Sequence, residues 1–262
     1  MKRRSLSITL AATLLSGVLL YAQNREQIRI MKNGVAYWNN WRNQEKNRKK
    51  KIDLLEQKYQ YANFKNINLS SAILYACNFY KANLSYAKFR FADLRVANLK
   101  FANAHRANFY NADMSGIRLD GAILSRADLG SATLQNATMS ETKLYMANLE
   151  NAKLMKARIK KADMRKANFA NAMLDHALIE NCMLQGANLR KASIRHCTLK
   201  NVNFSGADFS WADLRYVNLT SCNLRKVKFN QTILYRAKIK IKYKTMIMRQ
   251  QAQHKNTIDW VY

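Results

Sequence analysis

Apolar residues recur along this chain at a strict interval of five. From Phe64 to Ile239 every fifth position, 36 in all, is Leu, Phe, Ile or Met, and Ala104 is the exception. Two residues before each of them stands a small residue, which is Ala at 25 of the 36 places and Cys, Val, Thr or Ile elsewhere. The position between the two is Asn or Asp 19 times. Only two positions in each block of five are therefore apolar by rule.

A period of five fits neither a regular helix nor a regular strand. Five residues turn a helix through about 500°, so the apolar positions would wind around its axis. A strand would need a period of two, but positions two apart do share a side of an extended backbone. Each block is therefore a short extended piece followed by a bend, with one small and one large side chain pointing inward. Repetition without insertion predicts an all-β solenoid whose turns pair through backbone hydrogen bonds.

The blocks resemble the tandem motif of the pentapeptide repeat family, as in Ala92-Asp93-Leu94-Arg95-Val96 and Ala187-Asn188-Leu189-Arg190-Lys191. The resemblance extends over residues 60–241 and implies a right-handed quadrilateral β-helix, in which four blocks make one square coil. The 36 blocks then give about nine coils. The family favours Gly at the last position of a block, and here Gly stands there only at Gly116, Gly121, Gly186 and Gly206. The type of the turns therefore stays open.

The pattern predicts one continuous core. Its large members include Phe64, Leu94, Leu124, Leu154, Leu189 and Leu214. The four cysteines, Cys77, Cys182, Cys197 and Cys222, all fall on the small inner position, where Cys behaves as a slightly larger Ala. A disulfide between Cys182 and Cys222, two coils apart, would have to span about 9.6 Å and is too long. A bridge between Cys182 and Cys197 stays open. The chain has no proline, as continuous coil-to-coil pairing requires.

The segments outside the repeats are predicted to target the chain and to cap the solenoid. Residues 1–24 indicate a signal peptide or membrane anchor, because three basic residues precede an uncharged apolar stretch. An uncleaved anchor is favoured, since a cut after Ala22 would place the large Leu20 where a small residue is needed. Residues 25–60 are predicted to form a helical cap or linker in which Trp38 and Trp41 plug the solenoid end. Residues 61–241 form the β-helix and 242–262 a C-terminal cap or tail.

The chain is strongly basic, with 45 Lys and Arg against 16 Asp and Glu and a net charge of +29. Sorting the outer positions of the repeats by face gives +7, +2, +2 and +6, and the two most basic faces are neighbours. The densest stretch, a candidate site for an anion or partner, contains Lys153, Lys156, Arg158, Lys160, Lys161, Arg165 and Lys166. Two interpretations stand: a contact for phosphate-rich polymers or lipid headgroups, or a surface that only keeps the protein soluble.

Other outer positions offer weaker candidates. Exposed aromatic residues are numerous enough to line a partner contact: Tyr75, Tyr80, Tyr86, Phe91, Phe101, Tyr110 and Trp211. One outer column runs through His176, His196, Tyr216 and Arg236. Two imidazoles with the adjacent Asp175 are too few for a zinc or copper site, so aromatic stacking is the favoured interpretation. Neither a nucleophile elbow nor a phosphate loop occurs, and we predict no catalytic residue, metal or cofactor.

These observations favour a non-enzymatic binding or scaffolding rod. It would be held at a membrane by residues 5–24 or exported to a periplasm or lumen, a cytoplasmic location being less favoured, and would contact a protein, an anionic polymer or lipid headgroups. The alternative is an intracellular protein associated with nucleic acid or a topoisomerase. Some members of the family inhibit or protect DNA gyrase by presenting an acidic, DNA-like surface. The charge of +17 on the repeats contradicts that mechanism here.

Overall fold

The computed structural model describes residues 25–250, 252–253 and 257–262, and it is a β-solenoid of about 10 turns. Along the repeats, the residues that pair are parallel and 20 positions apart, as Ile52 is from Ala72 and Thr138 from Arg158; the last pairing, Lys238 with Asp259, spans 21. One turn therefore contains four blocks of five and has four faces. The predicted solenoid is confirmed. It is longer than the expected nine coils, because pairing begins at Ile52, ahead of the first regular block, and reaches Asp259.

Short strands and single bridges make up the ladder. The strands are β1 (Ile52–Asp53), β2 (Ala72–Ile73), β3 (Thr138–Ser140), β4 (Arg158–Lys160), β5 (Leu178–Glu180), β6 (Thr198–Lys200), β7 (Lys238–Lys240) and β8 (Asp259–Val261). They pair as β1 with β2, β3 through β6 in order, and β7 with β8. Elsewhere the middle residues of successive turns form isolated parallel bridges, such as Asn83 with Asn103. Helices flank the ladder: α1 (25–32), α2 (Val35–Asn43), α3 (Glu45–Arg48), a 3-10 turn (Ile241–Tyr243) and α4 (Lys244–Met248).

We number the faces by the first large inner residue on each: face I contains Phe64, face II Leu69, face III Leu74 and face IV Phe79. Every later turn repeats this order, so β3 to β6 lie on face IV and β1 and β2 on face III. The last residue of each block forms the ridge between its own face and the next. Face IV therefore meets face I of the following block at a shared ridge that starts with Tyr61.

The interior consists of the two apolar columns that the repeat predicts. The six predicted core residues are all buried, with Phe64 at 9% the most exposed among them. Aromatic side chains stack along face II, where the rings of Phe89 and Phe109 are 5.0 Å apart and nearly parallel. Such regular stacking is possible because successive turns repeat at one strand spacing.

Cysteine and threonine replace alanine at inner positions where their side chains can donate a hydrogen bond. The four cysteines are free and buried. The thiol of Cys77 donates to the carbonyl of Leu54 in the preceding turn at 2.8 Å, and the hydroxyl of Thr232 donates to Phe209 in the same way at 2.7 Å. Burial raises the pKa of Cys77 to about 12 and that of Cys182 to about 11. These thiols are therefore protonated and unreactive at neutral pH.

The turns between blocks are nearly uniform. The last residue of almost every block from Glu56 to Arg236 has a left-handed φ, between 51° and 70°, whether it is Gly121 or the bulky Phe101. The next inner N–H then bonds back across the bend, as Ala62 does to Tyr59 at 3.2 Å. This conformation costs a residue with a side chain about 1–2 kcal/mol. The open question of turn type is thus answered: the backbone pairing imposes the geometry that glycine would adopt freely.

The Asn and Asp at the middle position have a common structural role. Each of the 19 accepts a hydrogen bond at Oδ1 from the backbone N–H two residues later, as Asn63 does from Lys65 and Asp213 from Arg215. In a regular block this is the one N–H that neither the coil-to-coil ladder nor the bond across the bend satisfies. Because an unpaired backbone donor is costly, an Asx turn stabilises each such block. The polar position of the repeat is therefore explained by backbone satisfaction rather than by function.

Side chains from the helices close the N-terminal end of the ladder. Trp38 is fully buried, and its Nε1 donates to the carbonyl of Asn68 at 2.8 Å. The Asn39 Oδ1 accepts from the Asn68 N–H at 2.9 Å, and Arg42 donates to Ser70 at 3.0 Å. In later turns these backbone groups bond to the preceding coil. The side chains of α2 thus take the place of a missing coil, which protects an edge that would otherwise remain unpaired.

Further contacts complete both ends. Trp41 packs on Trp38 with ring centroids 5.3 Å apart, as the predicted plug requires. The helices end at Arg48, so the expected helical segment 25–60 is helical only in its first part, because residues from Ile52 onward already pair with the next coil. At the C-terminal end the Gln250 side-chain amide bonds to Val227 and Phe229, and β8 pairs with β7.

The predicted signal peptide or anchor, residues 1–24, lies outside the described residues. Within the part of the chain that is described, each helix is too short or too polar to cross a membrane.

Candidate binding surface

Face III carries three arginines that are neutralised by neighbouring carboxylates, Arg95, Arg195 and Arg215. Arg95 contacts Asp93 at 2.7 Å and Asp113 at 3.9 Å, and Arg215 contacts Asp213 at 2.7 Å. The hydrogen bond from Arg95 lowers the pKa of Asp93. Because the Asp belongs to the middle column and the Arg follows two residues later, the same block supplies both partners. The repeat itself therefore builds a self-paired surface here.

Asp175 is the most buried carboxylate on face III, with a side chain only 9% exposed. It accepts hydrogen bonds from the Ser193 hydroxyl at 2.6 Å and from the Arg195 backbone at 2.9 Å, and the Arg195 guanidinium contacts it at 3.0 Å. Burial opposes its charge, but the bonds from Arg195 and Ser193 outweigh burial and hold the pKa of Asp175 below its ordinary value. The carboxylate is thus fully engaged within the protein.

Face I has the opposite character. Its single acidic residue, Asp163, is paired with Arg165 at 2.7 Å. Across the described residues, the remaining basic side chains of this face make no ion pair. They are Lys65, Arg106, Arg126, Lys143, Lys166, Arg225 and Lys226, and all are exposed. Since Arg106 and Arg126 occupy the same column in adjacent turns, like charges stand about one strand spacing apart.

Face IV combines paired and unpaired cations. Glu180 binds Lys160 at 2.9 Å and Lys200 at 3.6 Å, and the Lys160 contact is the main cause of the lowered pKa of Glu180. Other basic side chains of the face have no ion-pair partner among the described residues, namely Lys81, Arg118, Arg158, Lys238 and Lys240. We call the unpaired cations of faces I and IV together the basic surface. It covers two adjoining sides of the solenoid.

The predicted basic stretch is spread around the turn instead of forming one patch. Lys153 and Lys156 lie on face III, Arg158, Lys160 and Lys161 on face IV, and Arg165 and Lys166 on face I. Lys160, Lys161 and Arg165 contact carboxylates at 2.9, 4.0 and 2.7 Å. Only Arg158 and Lys166 therefore belong to the basic surface.

Sequence reasoning missed four central members of that surface: Arg106, Arg118, Arg126 and Lys143. They are far apart along the chain and meet only across turns. Aligning the sequence in rows of 20 residues places them in the columns of the adjoining faces IV and I. Setting aside the cations that have an Asp or Glu in an adjacent column would then have identified these four.

An aromatic cluster lies on the ridge between faces IV and I. The Tyr80 ring packs edge to face against both Tyr61 and Phe101, with centroids 5.8 Å apart in each case. The Lys81 ammonium is 5.4 Å from the Tyr80 ring. Phe101 packs against Gly121, where a Cβ atom would be only 2.4 Å from the ring. Tyr61 and Phe101 remain 68% and 49% exposed, so apolar rings stand in the middle of the basic surface.

The other predicted aromatic residues also pack with cations. The Arg190 guanidinium lies 4.5 Å from the Trp211 ring, and Arg90 lies 5.2 Å from Tyr110 and 5.5 Å from Phe91. Tyr75 and Tyr86 are contacted in the same manner by Arg95 and Arg106. These pairs are distributed over all faces, so exposed rings alone do not single out one side of the molecule.

The histidine column is an aromatic stack. The rings of His176 and His196 are 5.2 Å apart, and those of His196 and Tyr216 4.8 Å apart, each pair within 9° of parallel. Throughout the described ranges, no group of three or more His, Cys, Asp or Glu side chains is arranged to hold a metal. A groove of about 560 Å³ opens where the column ends, lined by Tyr216, Tyr235, Arg236, Lys238 and Asp259 among others.

Comparison with known proteins identifies the repeat. A model of pentapeptide repeats in eight copies matches residues 62–100, 87–126, 122–160 and 132–171, and a model of a pentapeptide repeat region matches residues 179–242. No curated protein matches significantly.

Among solved structures, the chain is similar to HetL, a pentapeptide repeat protein involved in heterocyst differentiation regulation from the cyanobacterium Nostoc sp. strain PCC 7120. The two are 26% identical, with 71% of this chain and 88% of that one covered and a TM-score of 0.37. A trypsin-treated form of QnrB1, a plasmid-mediated fluoroquinolone resistance protein, is 16% identical over 76% of this chain and 95% of that one, with a TM-score of 0.41. A pentapeptide repeat protein of the Arabidopsis thaliana thylakoid lumen is 24% identical over 46% and 67%, with a TM-score of 0.23.

The five-residue period, the 20-residue pairing and the matches over 62–171 and 179–242 agree. The chain belongs to the pentapeptide repeat family.

Proposed function

We propose that this protein is a non-enzymatic binding and scaffolding rod that works at a membrane or after export across it. Residues 1–24 supply the targeting or anchoring segment, and the basic surface supplies the contact with an anionic partner. The single observation that carries the proposal is the difference between the faces. Faces I and IV have charges of +7 and +6 and many unpaired cations, whereas face III has +2 and pairs Arg95, Arg195 and Arg215 with carboxylates.

The difference between the faces argues against a uniform solubilising charge. If positive charge served only solubility, a cation would be equally useful on any face of the solenoid. Spreading the cations over all faces would also reduce their mutual repulsion. Concentrating them on two adjacent sides creates a directed positive field, which attracts an anionic partner and orients the encounter. The cations of this surface extend from Lys65 to Lys240, nearly the full length of the solenoid. An extended anionic partner would therefore gain contacts along the whole rod.

The proposal is tested by fractionating cells that express the full-length protein and sequencing the N-terminus of the mature form. We expect the protein in the membrane or exported fraction, and we expect removal of residues 1–24 to leave it in the cytosol. Association with the anionic partner should weaken as salt is raised, because exposed charges are screened. Recovery of the intact full-length protein in the cytosol, bound to nucleic acid in a salt-sensitive manner, would instead establish the intracellular alternative.

A further inference from the structure

We infer that the ridge between faces IV and I lies against an anionic lipid surface, so that the solenoid rests along the membrane with faces II and III turned away. This inference rests on the proposed function and deepens it by naming the partner and the orientation. It depends on three observations: the geometry of the ridge, its aromatic cluster, and the end of the molecule at which that cluster lies.

The geometry suits a planar partner. A ridge turned toward a plane brings both adjoining faces near it, so the exposed side chains of Arg118 and Arg158 on one side and Lys143 on the other can reach the same layer. The polar region of each leaflet is about 5–7 Å thick, which is within reach of Lys and Arg side chains. Each such cation near an anionic leaflet adds attraction.

The aromatic cluster distinguishes lipid from single-stranded nucleic acid. Bases bind by stacking on open ring faces along a positively charged groove. Here Tyr80 meets two neighbours edge to face, Lys81 lies over it, and one side of Phe101 covers Gly121. The cluster is therefore not an open row of parallel rings. Exposed Tyr and Phe beside Lys are instead suited to the membrane interface, where rings with apolar bodies and polar edges accumulate.

The position of the cluster agrees with the predicted anchor. Tyr61 and Phe101 belong to the first turns of the solenoid, next to the end that helices α1 and α2 cover. In the sequence, the uncharged apolar stretch of residues 5–24 directly precedes α1. An inserted segment would bring the N-terminal part of the ridge to the bilayer first, and the cations further along would then hold the rest of the rod.

Two opposite ridges of one turn provide a matched test. Asn181 lies on the ridge between faces IV and I, and Asn171 lies on the ridge between faces II and III. Both are exposed, and both have a left-handed φ, of 54° and 57°. The native cysteines are at most 5% exposed, so an introduced cysteine is the accessible thiol. Asn181→Cys and Asn171→Cys in the full chain would each be labelled with a polarity-sensitive fluorophore.

The labelled proteins would be mixed with vesicles of phosphatidylcholine alone or with added phosphatidylglycerol. We expect the label at 181 to report an apolar environment only when phosphatidylglycerol is present, with reversal at high salt, and the label at 171 to stay as in solution. Equal responses at both positions, a stronger response at 171, or a response at 181 on purely zwitterionic vesicles would each overturn the inference. So would a response at 181 to duplex DNA at lower concentrations than to vesicles.

Charge removal gives an independent check. Replacing Arg118, Arg158 and Lys143 with Gln should lower the equilibrium constant for ridge contact on the order of 100-fold. Replacing Lys88, Lys191 and Lys228 on face II with Gln removes the same charge and should leave the signal at 181 in place. If both triple variants behave alike, net charge and not the ridge governs binding. If the label at 181 gives no response while the intact protein still fractionates with membranes, the inferred orientation is wrong and the proposed function stands. If the intact protein is found in the cytosol, both the inferred orientation and the proposed function are wrong.

Discussion

Faces I and III share one interior and differ in how their outer charges are used. Both present a large apolar residue inward at every turn, and both follow the same 20-residue pairing. On face III two blocks place Asp and Arg two residues apart, and the two side chains form an ion pair within the block. On face I the cations stand in columns, and Asp163 is the single acidic residue of the face. The comparison shows that the repeat fixes the fold through its inner positions and leaves its outer positions free to carry a surface.

The strongest test of this separation is at the core. Leu144→Ala on face I and Leu154→Ala on face III should each lower the free energy of unfolding by about 2–5 kcal/mol, because both leucines are at most 1% exposed. Urea unfolding followed by circular dichroism measures the loss. A much smaller loss on one face would mean that its surface charge also governs how its core packs.

Surface arginines should separate the two faces. Arg195→Gln on face III leaves the largely buried Asp175 without its cation and should cost about 1–3 kcal/mol. Arg126→Gln on face I removes a cation that has no ion-pair partner in the described chain and should change stability by at most about 0.5 kcal/mol. Urea midpoints of the two variants give the comparison. Similar losses of stability in the two variants would show that Arg126 makes stabilising contacts other than ion pairs.

The two ridges beside face I can be compared through a glycine on each, Gly121 on the ridge with face IV and Gly206 on the ridge with face II. Gly121→Ala and Gly206→Ala both add a side chain at a left-handed φ, near 70° in each, and should each cost about 1–2 kcal/mol. At Gly121 the added Cβ would also meet the Phe101 ring at 2.4 Å, whereas the nearest atom at Gly206 is 4.0 Å away. We therefore expect a larger loss of thermal stability for Gly121→Ala. Equal losses would mean that Phe101 moves aside without cost and contributes little to the ridge.

Acid should weaken face III more than face I, because face III has two carboxylates with a lowered pKa, Asp93 and Asp175, and face I has one, Asp163. The pKa values of Asp93 and Asp175 are lowered in the folded protein, so their contribution is present above the unfolded pKa of about 3.9 and is lost as pH falls through the folded value. The combined Asp93→Asn and Asp175→Asn variant should therefore show a shallower loss of stability below about pH 4. Asp163→Asn, which removes the single carboxylate of face I, serves as the comparison. If Asp163→Asn reduced the loss of stability in acid more than the face III variant does, the greater acid sensitivity would belong to face I.

Much of the fold could be read from the residues because the repeat is local. Spacing alone places Leu94 and Leu154 in the core, and Trp38 and Trp41 were recognisable as an apolar plug. The first coil escaped prediction because Ile52 and Leu54 precede the regular blocks, and their pairing depends on coil geometry. The caps were hidden further: nothing in the local pattern says that the amide of Asn39 stands in for a missing strand, since its partner Asn68 is 29 residues away.

The basic surface was the harder inference. Seven basic residues close in sequence, Lys153 to Lys166, were the natural candidates, yet a chain that turns a corner every five residues distributes them over three faces. Residues that do adjoin, such as Arg106 and Arg126, are a full turn apart. Whether a cation is free also depends on carboxylates in neighbouring turns, as Glu180 shows by binding both Lys160 and Lys200.

The sequence by itself therefore determined the five-residue unit, the buried columns, the solenoid and the excess of positive charge. These follow from side-chain size and polarity within a single block, and a block can be read without knowing its neighbours. Only the tertiary structure decided which cations remain unpaired, which rings meet on a ridge, and how side chains complete the two ends. Those properties arise between turns, where residues about 20 positions apart come within about 5 Å of one another.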